Sequence, residues 1–267
     1  MQSSSFRVGD LEVQSTGHVA LVTIDRPQKL NAMTAAFWGD LRNVLDRLTN
    51  EHDTRAIVIT GAGPRAFSAG GDIQGFLELR SEEDIRAYQR DAMEAFAHVE
   101  RCPVIVIAAV NGIAFGGGCE LALACDFVIA GEQASFAMPE ANLGLVPGFG
   151  IIRSPDMIGA KMTKYLVATG DCIDAATAMQ AGLAQRVVPD ATLLDEAMQI
   201  AERVASRSPQ ALAVGKKLVN ASLETSAIEA SIAQVSQLQA HRDRQQGIAA
   251  FLERRAPAFG RREDVPR

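Results

Sequence analysis

The chain has 267 residues, of which 48% are apolar and 22% charged. That balance excludes disorder as the main state and supplies enough apolar surface for a sizeable core. Lys plus Arg number 26 against 32 Asp plus Glu, a net charge of −6, which disfavours a nucleic-acid partner because phosphate-backbone affinity comes from clustered positive charge. A small anionic ligand needs only a few local donors and stays open. The longest apolar run, Val104 to Val110, is far too short to cross a bilayer, so no membrane role is expected. The opening MQSSSFRVGD lacks the basic start and apolar stretch of a secretory signal. Cys102, Cys119, Cys125 and Cys172 form no CxxC pair and sit in apolar segments. Together these features predict a cytoplasmic protein with reduced, buried thiols and neither a zinc site nor a disulfide framework.

In chain order, Leu11–Gln14 and His18–Asp25, joined through Ser15-Thr16-Gly17, predict a hairpin. A helix is expected over Thr34–Leu48 with Thr34 as its N-cap, and another over Glu82–Val99 after Ser81. Between and after them the β-branched runs Val19–Asp25, Arg55–Thr60, Val104–Val110 and Asp126–Ala130 read as strands buried on both faces. Strands alternating with helices predict an α/β fold with a largely parallel sheet. After about Pro189 the character changes. Leu193 to Leu252 is rich in Ala, Glu, Gln and Leu at helical spacing. Ser208-Pro209 starts one helix, and Thr225–Gln239 carries Ile228, Ile232, Val235 and Leu238 on one stripe. The division is therefore a core over 1–192 and a helical region over 193–267, which packs on its own core or on another subunit.

Several common chemistries are missing. There is no GxxxxGK[ST] loop, no GxGxxG after a strand, no HExxH pair and no GxSxG, and the four histidines are scattered singly. What stands out is glycine at strand ends. Ala69-Gly70-Gly71-Asp72-Ile73 follows the strand ending at Thr60, and Gly116-Gly117-Gly118-Cys119-Glu120 follows Val104–Val110 and opens a helix over Cys119–Cys125. Three consecutive glycines carry a large entropic cost, so they either form a loose turn or admit a close approach to the main chain. Free N–H groups at such a helix start favour a negative oxygen. Glu120, one turn inside that helix, and Glu140, after Pro139, are each either first-turn acids or, in their apolar surroundings, carboxyls with raised pKa suited to proton transfer. Two such carboxyls beside paired backbone donors suit chemistry that makes and quenches an enolate.

These segments resemble the crotonases, the enoyl-CoA hydratase/isomerase superfamily. The matching landmarks run in order: Asp25-Arg26-Pro27 to Leu30-Asn31-Ala32, Ala66 to Ile73, Val110-Asn111-Gly112 through Leu121, Cys125-Asp126, Phe136 to Glu140, Gly144 to Gly148, Gly182-Leu183, and Gly247 to Phe259. The resemblance implies a spiral of ββα units with a C-terminal helical oligomerisation region, assembled as a homotrimer or as a hexamer of paired trimers. It refines the parallel-sheet expectation accordingly. It implies an acyl-CoA thioester substrate, with coenzyme A as part of the substrate and no separate cofactor. The N–H groups of Gly71 and Gly117 fall at the oxyanion hole, Ala69 and Ile73 at main-chain contacts to adenine, Lys29 near the coenzyme A phosphates, and Arg26 among the coenzyme A-binding residues. Glu120 and Glu140 fall on the hydratase carboxylate pair.

The implied reaction is addition of water to a trans-2-enoyl-CoA. A Δ3,Δ2-enoyl-CoA isomerase resting chiefly on Glu140, and a non-catalytic member of the fold, are the alternatives. Gln28 and Gln74 stand where hydratases often carry Lys, and Ile151-Ile152-Arg153 departs from the usual Gly-Thr-Gln-Arg beside the Glu140 turn. Phe76, Leu77, Leu79 and Ile85 line an acyl pocket or form ordinary helix core, and Arg254 and Arg255 are either phosphate ligands or solvated charges.

Overall fold

Serine-rich strand β1 (Ser3–Val8) opens an antiparallel meander with β2 (Leu11–Thr16) and β3 (Val19–Ile24). The expected hairpin is β2–β3, with Leu11 opposite Ile24; β1, with little strand signal in its serines, was not expected. This is a computed structural model, and it describes residues 3–50, 53–220, 228–229, 232–233, 236, 239 and 242–255.

From β3 onward the chain winds. After α1 (Phe37–Asn50) come β4 (Ala56–Gly61), short β5 (Ala66–Ser68), the single-turn α2 (Ile73–Phe76) and α3 (Glu82–Arg101). The pattern repeats as β6 (Ile105–Val110), β7 (Ile113–Phe115) and α4 (Gly117–Ala124). It repeats again as β8 (Phe127–Gly131), β9 (Ser135–Ala137), a 3₁₀ turn at Pro139–Leu143 and α5 (Gly150–Ile158). Then follow α6 (Ala160–Thr169), β10 (Ile173–Asp174), α7 (Ala175–Ala181), β11 (Arg186–Val188), α8 (Leu193–Ala205), α9 (Pro209–Val219) and α10 (Arg242–Leu252).

The long strands β3, β4, β6 and β8, with the three-residue β11 at the edge, pair in parallel within a seven-stranded sheet, while β5, β7 and β9 pair in parallel within a second sheet of four. Each long–short strand pair followed by a helix is one ββα step of a spiral. The long strands are buried on both faces, as their near-continuous apolar runs require. Ile57, Ile59, Val106, Ala108 and Val110 face a core shared with α1, α3 and α4. Ala56, Val58, Ile107, Ala109 and Ile129 face Leu193, Ala197, Ala201 and Ala205 of α8. The first helix of the 193–267 region thus closes one face of the main sheet.

Some local expectations change. The first helix begins at Phe37, not Thr34, because the preceding residue is tied down: Met33 N–H donates to Gly70 O at 2.8 Å and Asp72 N–H donates to Met33 O at 2.8 Å. The chain leaves that bridge through a turn in which Phe37 N–H donates to Thr34 O at 3.1 Å. The α3 start is as expected, a reciprocal box in which Ser81 and Asp84 exchange side-chain to backbone bonds of 3.0 Å each. Cys102, Cys119 and Cys125 are buried, but Cys172 is exposed, since it sits in the turn between α6 and β10 and not inside an element. Of the stripe at Thr225–Gln239, Ile228 and Ile232 join the main core, while Val235 and Leu238 lie outside the described residues. No helix among the described residues is long and apolar enough to cross a membrane.

α9 is fastened by charge. Lys216 Nζ donates to Asp126 Oδ2 at 2.7 Å and to the carbonyls of Val99 and Val104 at 3.1 and 3.0 Å, and its side chain is only 3% exposed. Removing one partner strands the other charge in a place water barely reaches. Lys216→Ala is therefore expected to cost about 3–5 kcal/mol, read as a lowered urea midpoint at unchanged slope.

Candidate active site

The two glycine clusters meet at the ends of β5 and β7. Gly70 has φ +93°, and a β-carbon there would lie 2.7 Å from Phe115 O; one on Gly118 would lie 2.2 Å from Ser68 O. The run of glycine is therefore a close approach of main chain to main chain, not a loose turn. Ser68 supports the approach from beneath, with Oγ donating to Asn31 O at 2.8 Å and accepting from Gly70 N–H at 3.1 Å. Buried Asn31, at φ +55°, donates to Ala66 O at 2.7 Å.

The approach sets two amides side by side. Gly71 N lies 3.7 Å from the point where a Gly117 β-carbon would sit, and Gly117 N lies 3.1 Å from the corresponding point on Gly70. Neither amide donates to any acceptor among the described residues. Gly117 is the first residue of α4, where an N–H has no partner within the helix.

Ala69 and Ile73 flank this corner and are half-buried. Arg26 is committed elsewhere. Its guanidinium donates to Asp72 Oδ2 at 3.2 Å and to Ala32 O at 2.6 Å, with Asp10 at 3.5 Å. Asp72 in turn caps α2 by accepting from Gln74 N–H at 3.2 Å, so Arg26 braces the turn that presents Gly71. Lys29 ends an exposed 3₁₀ turn, Pro27–Lys29.

The two carboxyls stand in unlike surroundings. Glu120, buried in α4, accepts through Oε1 from Phe149 N–H at 2.7 Å and Gly150 N–H at 2.8 Å. Burial pushes its pKa up to about 7, and the two backbone bonds hold it from rising further. Glu140 sits on the Pro139–Leu143 turn with Oε1 2.9 Å from the point of a Gly116 β-carbon. Its Oε2 is enclosed and has no hydrogen-bond partner among the described residues. Burial first, and then the charge of Glu120, drive the Glu140 pKa well above the carboxylate range. The corner is aromatic on the side of Gly71. The Phe76 ring and the Tyr88 hydroxyl lie 2.6 and 3.1 Å from the point of a Gly71 β-carbon, and Tyr88 packs edge-on against Phe76 and Trp38.

The structure thus gathers Gly71, Gly117, Glu120 and Glu140 around one corner. The departure at Ile151–Arg153 follows the helix start that holds Glu120, where the sequence placed it beside the Glu140 turn. The donors Phe149 and Gly150 went unrecognised as functional, although Pro147-Gly148-Phe149-Gly150 marks a chain turn ahead of a helix. Arg153, in that departing stretch, is buried in an ion pair with Glu100 at 2.7 Å.

The family model described as Enoyl-CoA hydratase/isomerase matches residues 14–262. A probable enoyl-CoA hydratase of Rhizobium meliloti (strain 1021) is 39% identical over 256 residues, covering 94% of this chain and 98% of the relative. The 2,3-dehydroadipyl-CoA hydratase of Escherichia coli (strain K12) is 39% identical over 261 residues, covering 94% and 99%. The crystal structure of an enoyl-CoA hydratase from Bacillus anthracis superposes with a TM-score of 0.76 at 36% identity, covering 94% of this chain and 99% of that one. The ββα spiral with two glycine-lined amides and a buried carboxyl pair is a crotonase architecture. The chain belongs to the enoyl-CoA hydratase/isomerase family.

The raised carboxyls make stability depend on pH in a set direction. Between the ordinary value of 4.5 and about 7 the native chain holds protons that the unfolded chain has released, so stability falls as pH rises through that window. The melting temperature is expected to be lower at pH 8 than at pH 5.5, and Glu120→Gln to narrow the difference; a difference unchanged by the substitution removes Glu120 as a source.

Proposed function

We propose that the protein is an enoyl-CoA hydratase, adding water across the 2,3 double bond of a trans-2-enoyl-CoA to give a 3-hydroxyacyl-CoA. The observation that carries this is a pair of buried carboxyls in unlike environments beside two unengaged amides. The thioester carbonyl accepts from the N–H groups of Gly71 and Gly117, which stabilise the negative oxygen as the enolate develops. Glu120, ionised with the help of two backbone donors, takes a proton from water as the water oxygen bonds C3. Glu140, kept protonated by its enclosure, delivers its proton to C2. The balance is one H and one OH added, and in dehydration the roles reverse.

Main chain at Ala69 and Ile73 contacts the adenine and Lys29 the phosphates, while Arg26 serves by bracing Asp72. Glu120 argues for hydration over double-bond isomerisation, which needs chiefly Glu140. Assembly as a trimer, or a hexamer of two trimers, belongs to the same reading and is supported by exposed apolar side chains on α9, Leu218 at 70% and Val219 at 80%. Light scattering on the eluted protein tests it.

The test of chemistry is hydration of crotonyl-CoA, followed as loss of the conjugated enoyl-thioester absorbance. Glu120→Gln and Glu140→Gln are each expected to lower kcat by about 10²–10⁴, and near-wild-type hydration by either sinks the role assignment. Because Glu120 must be ionised and Glu140 protonated, kcat/KM is expected to climb with pH to about 7 and to fall again as Glu140 ionises. Turnover of a 3-enoyl-CoA with no hydration of crotonyl-CoA favours the isomerase.

A further inference from the structure

Three cations are buried among the described residues, and two have carboxylates at 2.7 Å: Arg153 with Glu100, and Lys216 with Asp126. The third, Arg244 on α10, is 7% exposed and has no carboxylate within 4.0 Å among the described residues. Its guanidinium donates to the carbonyls of Phe76 and Gln239, and Nε has no acceptor among the described residues. An unpaired buried charge is costly, so a fold that keeps one invites a counter-charge from outside.

Arg244 lines a cavity of about 540 Å³ between the end of α2, the start of α3 and α10. A second polar group, Gln239, 3% exposed, also lines it, and its Oε1 has no donor among the described residues. The remaining walls are largely apolar, including Phe76, Leu77, Ile85 and Ile248. Two other charged residues lie on the wall: Arg80, exposed and without an ion pair among the described residues, and Glu82, already held by Arg86 at 2.9 Å. The cavity is therefore apolar along most of its sides, with Arg244 as its buried cation and Arg80 as an exposed one.

The cavity adjoins the reaction corner. Phe76 belongs to both: its ring stands against Gly71 and its carbonyl accepts from Arg244. On the other side, a β-carbon on Gly247 would lie 2.4 Å from Leu143 C, so α10 rests directly on the turn that carries Glu140. From Gly71 to the Phe76 carbonyl the chain makes two residues and one helical turn, at most about 12 Å. A chain of about four to six carbons spans this with a hydrogen bond at each end.

Resting on the hydratase reading, we propose that Arg244 receives a carboxylate at the far end of the acyl chain, so that the preferred substrates are CoA thioesters of short unsaturated dicarboxylic acids. The guanidinium and the carboxylate form the charge-assisted ion pair that Arg244 lacks among the described residues. Burial without an opposing acid also draws the Arg244 pKa below its usual value, consistent with a site that awaits an anion.

The test compares glutaconyl-CoA with its ω-methyl ester on the full wild-type chain. The free acid is expected to exceed the ester in kcat/KM by about 10- to 100-fold, mainly through KM. Arg244→Met is expected to bring the ratio near unity, with Arg244→Lys restoring part of it. A wild-type ratio at or below unity overturns the proposal, as does a ratio that Arg244→Met leaves unchanged; the first needs no variant to fold. Hydration of crotonyl-CoA by the wild type is measured in parallel. If none of the thioesters is hydrated, the hydratase reading fails by itself, and calorimetric binding of glutaryl-CoA against its ω-methyl ester still reads the cavity, equal affinities overturning it. Free glutarate binding as tightly as glutaryl-CoA, without inhibiting hydration, makes this a site for a separate anion and overturns the acyl assignment.

Discussion

The carbonyl oxygen of Ser68 lies 2.2 Å from where a β-carbon on Gly118 would stand, and that missing atom lets α4 begin against the end of β5. A side chain there would push the helix away from the strand, and with it the Gly117 amide, Glu120 and the wall behind Gly71. The same contact explains the tolerated cost of consecutive glycines. Asn31, Ser68 and Met33 then lock the opposing segment, so that both amides are set by backbone packing rather than by a mobile loop.

Around that contact the ββα step is used three times, and each turn contributes a different part. The first, after β5, presents Gly71. The second, after β7, presents Gly117 and then Glu120. The third, after β9, presents Glu140 on a 3₁₀ turn. Because the short strands pair in parallel, their C-terminal ends converge and groups from distant parts of the chain share one corner. The helical region serves this arrangement from outside: α8 closes the sheet, Lys216 pins α9 to Asp126, and α10 rests on the Glu140 turn.

Burial raises both carboxyls, and local donors separate them. The start of α5 gives Glu120 two N–H groups, which favour its ionised form, whereas Glu140 keeps an oxygen without any donor and remains the better proton holder. The proposed assignment of acid and base rests on the partners of each group and not on their residue type, which is the same. The rings of Phe76, Tyr88 and Trp38 pack edge to face on the Gly71 side of the corner.

The sequence by itself determined what is local. The β-branched runs mark β3, β4, β6 and β8 to within a residue at most ends, Ser81 marks the start of α3, and the glycine clusters with Glu120 and Glu140 mark the corner, since strand burial, helix caps and glycine punctuation depend on neighbours along the chain. Short strands β5, β7 and β9 were illegible because three residues are too few to show a period. Only the tertiary structure decided that Arg26 braces Asp72, 46 residues away, that Phe149 and Gly150 hold Glu120 across 29 and 30 residues, and that Arg244 is buried without a carboxylate partner among the described residues. The charge state of a carboxyl or a guanidinium depends on what removes water from it and what donates to it, and those groups are brought together by packing.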